Sequence, residues 1–201
     1  TPIASSAASD VYKRQKLTYK LNITLFKGGG MHPGINGPKL KDKPAIIMAG
    51  SGDIITHQEL NELSNQGAQL FRSLGLKPGD SLAFMMENHK LFFPIAFAAY
   101  RSGLKYTAIS WRLQASEVEY IVKDCGAKVF ITSKFLEESA KSLVNSLEGV
   151  HKFMLDGITD DFKSYEKEIN NMSDTPIEDE CQGAAMLYSS GTTGKPKGVS
   201  R

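Results

Sequence analysis

A run of ten residues near the end of the 201-residue chain, SSGTTGKPKG, combines side chains and backbone groups that can hold an anion. Its four short hydroxyl side chains can donate hydrogen bonds, its three glycines let backbone N–H groups approach a ligand closely, and its two lysines carry positive charge. Together these groups could form a cradle for a polyphosphate. The residues of this candidate phosphate loop are Ser189, Ser190, Gly191, Thr192, Thr193, Gly194, Lys195, Pro196, Lys197 and Gly198.

The candidate phosphate loop differs from the P-loop of many nucleotide-binding proteins. A P-loop requires Gly five residues before its Gly-Lys pair and Ser or Thr after the Lys, whereas here Ser189 takes the first position and Pro196 follows Lys195. A surface loop rich in turn-forming residues is the alternative interpretation. The run begins at the end of the strand-like segment 184–190. Ligands of open α/β sheets gather at the carboxyl ends of strands. We therefore predict a phosphate-binding loop.

Short apolar runs alternate with helical patterns from residue 44 onward. The strand-like runs cover 45–49, 81–86, 106–110, 128–132, 151–155 and 184–190, the last of which we take as the final strand. The helical patterns cover 56–75, 89–103, 116–123, 135–147 and 161–170, and the polar stretch 171–180 indicates a surface connection. This alternation predicts an α/β fold in which helices flank a mostly parallel sheet.

Two helices carry the spacing of a capping box, in which an N-terminal hydroxyl residue is followed three positions later by Glu. Thr56 with Glu59 predicts the start of the first helix, and Ser116 with Glu119 predicts the start of another. Gly75 stands where the first of these helices should end.

Several polar and aromatic residues outside the candidate phosphate loop are further candidates for functional groups. His89 fits a surface imidazole beside a turn, and Asp124 fits a surface charge. Trp111 and Arg112 follow a strand, where packing is favoured over ligand contact. None of these residues is predicted to be catalytic.

Composition excludes several function classes. The 24 basic and 22 acidic residues leave a net charge of +2, which argues against a large nucleic-acid or anionic-membrane surface. Cys125 and Cys181 have no Cys or His neighbours at metal-ligand spacing, so we predict no metal site and two reduced thiols in a cytoplasmic protein. No apolar run reaches the length of a membrane span, and no secretory signal is evident.

The first 30 residues lack the patterns of the rest of the chain. We predict that residues 1–30 are a non-native or disordered leader and that the domain covers residues 31–201, starting at Met31. A native disordered tail is the alternative for the same segment.

The segment LYSSGTTGKPKGV (187–199) closely resembles the signature of the adenylate-forming superfamily, which includes acyl-CoA synthetases, luciferases and the adenylation domains of peptide synthetases. The resemblance extends upstream through residues 56–88 and 101–133, where MMENH, SWRL and EVEYIVKDCGAK look most like bacterial fatty-acyl-CoA synthetases. The last three residues, VSR, depart from the usual continuation of the signature.

The resemblance implies ATP-dependent activation of a carboxylic acid, most simply a fatty acid. An acyl-adenylate would form with release of pyrophosphate, and coenzyme A would then take the acyl group as a thioester. ATP, Mg²⁺ and coenzyme A are the implied cofactors and co-substrates. Lys197 matches the family's lysine in its Pro-Lys-Gly segment and is the implied catalytic residue, whereas Lys195 stands where the family varies.

Members of the superfamily are much longer than this chain, and the segments that bind adenine, ribose, magnesium and the acyl group are expected downstream of the loop. The sequence therefore predicts the N-terminal part of the large domain, which should be inactive by itself. Two other readings stay open: an adenylation domain that loads a carrier protein or makes only the acyl-adenylate, and a catalytically silent nucleotide-binding protein. Acyl-chain specificity and oligomeric state are not predicted.

Overall fold

Strands and helices alternate along the polypeptide, whose computed structural model describes residues 33–189 and 196–200. The strands are β1 (Pro44–Ile47), β2 (Ile54–Thr56), β3 (Ser81–Met85), β4 (Lys105–Ile109), β5 (Ala127–Ser133), β6 (His151–Leu155), β7 (Lys163–Ser164), β8 (Ala184–Ser189) and β9 (Lys197–Ser200). The α-helices are α1 (Pro33–Leu40), α2 (His57–Ser73), α3 (Phe92–Arg101), α4 (Ala115–Asp124), α5 (Glu137–Leu143) and α6 (Tyr165–Asn170). The predicted leader, residues 1–30, lies outside the described residues.

Seven of the strands in this described part of the chain form one sheet, in the order β7-β6-β5-β3-β4-β8-β9. Every neighbouring pair from β7 to β8 is parallel, and only the pairing of β9 with β8 is antiparallel. β1 and β2 form a separate antiparallel pair. The predicted α/β fold with a mostly parallel sheet is confirmed.

Helices cover both faces of the sheet, because the side chains of each buried strand alternate between two cores. Leu82 and Phe84 of β3 belong to one core, which also contains residues of α2, α3 and α6. Ala83 and Met85 of the same strand belong to the other core, with residues of α4 and α5. All five residues of β3 are buried, so this strand is the centre of the domain.

The start of α2 follows the prediction from sequence. The Thr56 hydroxyl accepts a hydrogen bond from the Glu59 N–H at 3.2 Å, and the Glu59 carboxylate accepts one from the Thr56 N–H at 2.7 Å. These two bonds satisfy N–H groups that a helix start leaves without partners. Gly75 has a φ of +82°, the left-handed conformation that ends a helix at low cost.

The capping box at the start of α4 lies two residues earlier than predicted. The capping box is formed by Gln114 and Glu117, with the Gln114 N–H donating to Glu117 Oε2 at 2.9 Å, rather than by Ser116 and Glu119. Val118, Ile121 and Val122 are buried on one face of this helix. The Gln114–Glu117 pair takes the place of the predicted hydroxyl cap.

Other boundaries shift in ways that the sequence did not show. The helix predicted over 89–103 begins at Phe92, and the pattern at 161–170 divides into β7 and α6. The segment 184–190 is not the final strand, because β9 follows the candidate phosphate loop and pairs with β8. Residues 171–180 contain no helix or strand, as predicted for a connection, although Ile177 is buried. No helix among the described residues is long and apolar enough to span a membrane.

The buried side chain of Arg101 binds the segment that precedes β8. Arg101, at the end of α3, has a side chain only 1% exposed, and its Nε donates to Glu180 Oε1 at 2.5 Å. Its Nη1 donates to Ser64 Oγ at 2.7 Å and to the carbonyl oxygen of Asn61 at 3.2 Å, both on α2. The backbone N–H of Cys181 donates to the Arg101 carbonyl oxygen at 3.0 Å. The connection, α2 and α3 are thereby joined through one side chain.

Candidate functional site

The candidate phosphate loop joins two neighbouring antiparallel strands at the edge of the sheet. Ser189 at the carboxyl end of β8 is paired with Lys197 at the start of β9, and Tyr188 is paired with Gly198. The chain therefore leaves and re-enters the sheet at the edge where the parallel strands have their carboxyl ends, as predicted for a ligand-binding loop. Six members of the loop lie outside the described residues: Ser190, Gly191, Thr192, Thr193, Gly194 and Lys195.

Lys197, the implied catalytic residue, is the first residue of β9 and is exposed. Side chains alternate along a strand, so Lys197 and Val199 point to the same face of the sheet, away from Gly198. Val199 and its partner Leu187 are about half exposed, at 53% and 50%. Lys197 forms no ion pair with the other described residues, and its catalytic role stays a prediction.

Gly198 occupies a position where a side chain would meet a tyrosine. A Cβ atom built on Gly198 would lie 3.0 Å from both Cζ and Oη of Tyr188, which is tighter than ordinary van der Waals contact. The ring of Tyr188 therefore lies against the backbone of β9. The role of Gly198 in holding phosphate stays a prediction, but this contact gives a second reason for glycine there.

Tyr188 is anchored at its other end by the last residue of α4. The Tyr188 hydroxyl donates to Asp124 Oδ2 at 2.5 Å. Burial raises the pKa of Tyr188 well above its usual value, and the hydrogen bond to the Asp124 carboxylate raises it further. The hydroxyl consequently stays protonated and available as a donor. Asp124 is exposed, as predicted for a surface charge, and in addition it accepts this hydrogen bond.

The switch point of the sheet lies between β3 and β5, since the chain leaves β3 towards β4 on one side and enters β5 on the other. Here the Ser133 hydroxyl donates to Glu87 Oε2 at 2.5 Å. These two side chains satisfy each other where the two strands end. In the strand order, β3 and β4 lie between this switch point and β8, the strand that leads into the candidate phosphate loop.

His89 is part of the same edge and is not the surface imidazole predicted from sequence. Its side chain is only 8% exposed, and its Nδ1 accepts a hydrogen bond from the Leu91 N–H at 3.1 Å. A neutral ring must then carry its proton on Nε2, which lies 3.0 Å from Asp156 Oδ2 and donates to it. The ring links the turn after β3 to the end of β6.

Trp111 and Phe135 form an aromatic pair at the ends of β4 and β5. Their ring centroids are 6.0 Å apart in an edge-to-face arrangement, and Arg112 Cζ lies 5.3 Å from the centroid of the Trp111 ring. The packing predicted for Trp111 is therefore present, although the Trp111 side chain remains 41% exposed. The described residues contain no group of three or more His, Cys, Asp or Glu side chains that could hold a metal ion.

The family model described as "AMP-binding enzyme" matches residues 36–201. A fatty acid–[acyl-carrier-protein] ligase, ScoC of Streptomyces coeruleorubidus, is 29% identical over 78% of this chain and 29% of its own length. Gramicidin S synthase 2 of Brevibacillus brevis is 26% identical over 93% of this chain and 4% of its own length.

A solved structure shares the fold. The anthranilate CoA ligase AuaEII, crystallised with anthranoyl-AMP, superposes with a TM-score of 0.76 at 23% identity, covering 84% of this chain and 33% of the ligase. The chain thus spans about a third or less of the lengths of these relatives. Since the family model covers most of the sequence, including the β8–β9 hairpin, the chain belongs to the AMP-binding enzyme family.

Proposed function

We propose that the complete protein activates a carboxylic acid with ATP and transfers the acyl group to coenzyme A. One observation carries the proposal: a run of hydroxyl, glycine and lysine residues is held between β8 and β9 at the carboxyl edge of a parallel sheet, in a chain of the AMP-binding enzyme family. In the first step a carboxylate oxygen attacks the α-phosphorus of ATP. The bond to the bridging oxygen breaks, and pyrophosphate leaves.

The chemistry of this step explains why such a loop is useful. A carboxylic acid is already ionised at neutral pH, so no general base is needed. The obstacle is the approach of an anion to a polyanion, which positioning and positive charge can overcome. The loop's N–H and hydroxyl groups would bind the β- and γ-phosphates, and Lys197 would stabilise the charge that grows on the departing pyrophosphate. Mg²⁺ would neutralise more of the charge on the phosphates.

In the second step a thiol attacks the acyl carbon of the acyl-adenylate and AMP leaves. Coenzyme A is the proposed thiol, and a fatty acid is the proposed substrate because the sequence looks most like fatty-acyl-CoA synthetases. Cys125 and Cys181 are both free, which supports a reducing, cytoplasmic location.

Transfer to a carrier protein is the second candidate function. It is favoured by the relatives ScoC, named as an acyl-carrier-protein ligase, and gramicidin S synthase 2. In that case the first step is unchanged and only the thiol differs.

ATP–pyrophosphate exchange by the complete gene product tests the proposal. Radiolabelled pyrophosphate should enter ATP only when a suitable acid is present, and acids of increasing chain length identify the substrate class. Product analysis with coenzyme A or with a phosphopantetheine-bearing carrier protein then separates the two candidate functions. Absence of exchange with every acid, in a folded protein that contains the intact loop, would contradict both and favour a silent nucleotide-binding protein.

A further inference from the structure

The carboxyl half of β8 lacks a partner strand on the β4 side. β8 pairs with β4 through Lys105↔Ala184 and Tyr106↔Ala185 alone, both at its amino end. From Met186 onward, β8 pairs with β9. The part of the hairpin that carries the candidate phosphate loop is therefore not fixed to the sheet by β4–β8 ladder pairs.

Tyr188 supplies a fixed point in this part of the hairpin. It is the second-last residue of β8 and lies directly opposite Gly198, the neighbour of Lys197. Its ring lies against the backbone of Gly198, as the short distances to a Cβ at that position show. Any displacement of Tyr188 would therefore displace the start of β9.

Asp124 holds the outer end of the same ring. It accepts the Tyr188 hydroxyl at 2.5 Å, while its other carboxylate oxygen is 3.5 Å from the hydroxyl of Tyr120. Asp124 is the last residue of α4, where the helix dipole disfavours a negative charge. The helix dipole therefore does not stabilise this carboxylate, and its shorter hydrogen bond is the one with Tyr188 of the hairpin.

We propose that the Asp124–Tyr188 hydrogen bond positions β9 and its first residue, Lys197, for ATP, with Tyr188 and Asp124 acting as positioning residues. This inference rests on the proposed function. The bond connects α4, which packs on the sheet, to β8, the strand that enters the loop. Because the Tyr188 ring contacts Gly198, the position of the ring also determines the position of β9. Lys197 is proposed to act on the charge that grows as pyrophosphate departs, so its displacement should lower kcat with little change in KM for MgATP.

Kinetics of ATP–pyrophosphate exchange in the complete gene product test the proposal. Tyr188→Phe keeps the ring and removes the hydroxyl, and Asp124→Ala removes the acceptor. Each should lower kcat by about tenfold, the lower range for a hydrogen bond to a charged group, while KM for MgATP stays within about threefold. The double variant should be no worse than either single variant, because both remove the same bond. Asp124→Asn retains an acceptor oxygen and should give a smaller loss.

Lys123→Met is the matched control, since it breaks a different side-chain bond of α4, the one between Lys123 and Glu119 at 2.6 Å. Its kcat should equal that of the wild type. If kcat changes by less than about twofold in both Tyr188→Phe and Asp124→Ala, the inference is overturned and the proposed function still stands.

A second readout separates failure of the inference from failure of the proposed function. If the wild type catalyses no exchange, amide hydrogen exchange of residues 197–200 decides alone. Faster amide exchange in Tyr188→Phe and Asp124→Ala, by about tenfold, with no change in Lys123→Met, supports the positioning bond. Equal rates in all four proteins overturn it.

Discussion

Replacing Arg101 by Met should destabilise the domain more than any single surface ion-pair change. The guanidinium group is 1% exposed and bonded to Glu180, Ser64 and Asn61, so its removal leaves several polar atoms without their partner. Breaking a buried ion pair from one side costs about 3–5 kcal/mol. Glu180 is 26% exposed and can regain some hydration, so we expect a loss of roughly 3 kcal/mol in the free energy of unfolding.

Urea denaturation of the 201-residue chain measures this loss, with the fluorescence of its one tryptophan, Trp111, as the signal. The melting temperature should also fall, by roughly 6–12 °C for a domain of this size. Lys128→Met is the matched control, because Lys128 pairs with Asp80 at 2.8 Å but is 55% exposed. Exposed pairs of this kind are worth about 1 kcal/mol or less. A loss for Arg101→Met no greater than that for Lys128→Met would refute the reasoning.

Three further predictions concern the helix contact, the loop and acid stability. Gly67→Ala should cost about 1–3 kcal/mol of unfolding free energy, because the new methyl would lie 2.6 Å from the Cβ of Ala98. Lys197→Ala should lower the rate of ATP–pyrophosphate exchange about 100-fold: a lysine roughly 4 Å from phosphate contributes about 4 kcal/mol before solvent competition. Asp179 has its pKa lowered by the hydrogen bond from Arg72, so its stabilisation is present above pH ~4 and is lost as pH falls further.

Each of these predictions has its own control. Gly50→Ala should leave stability unchanged, since nothing lies within 4 Å of a Cβ there, and an equal loss at Gly50 and Gly67 would contradict the contact. Lys195→Ala should retain exchange activity, and undiminished activity in Lys197→Ala would remove the catalytic assignment. Arg72→Met should flatten the fall in urea midpoint between pH 5 and pH 3, and an unaltered pH profile would exclude the Asp179 contribution.

Local patterns in the sequence predicted the elements that local interactions decide. The capping box of Thr56 and Glu59, the helix end at Gly75 and the strand 151–155 all agree with the structure. The mostly parallel sheet followed from the alternation of strands and helices. In each case the residues that set the element lie within a few positions of one another.

The features that the sequence did not predict depend on contacts between distant segments. β9 is too short and polar to read as a strand, and it exists because β8 lies beside it. The Asp124–Tyr188 contact joins residues 64 positions apart, so no local pattern could show it.

The placement of β8 beside β4 has a consequence for the order in which the molecule folds. The strands from β3 to β6 pair with partners that are near in the chain, whereas Lys105 meets Ala184 about 80 residues later. Closing so long a segment carries a larger entropic penalty and slows the formation of the contact. The β8–β9 hairpin should therefore join the sheet after β3 to β6 have paired. A nucleotide that binds the hairpin would stabilise the state in which it is docked.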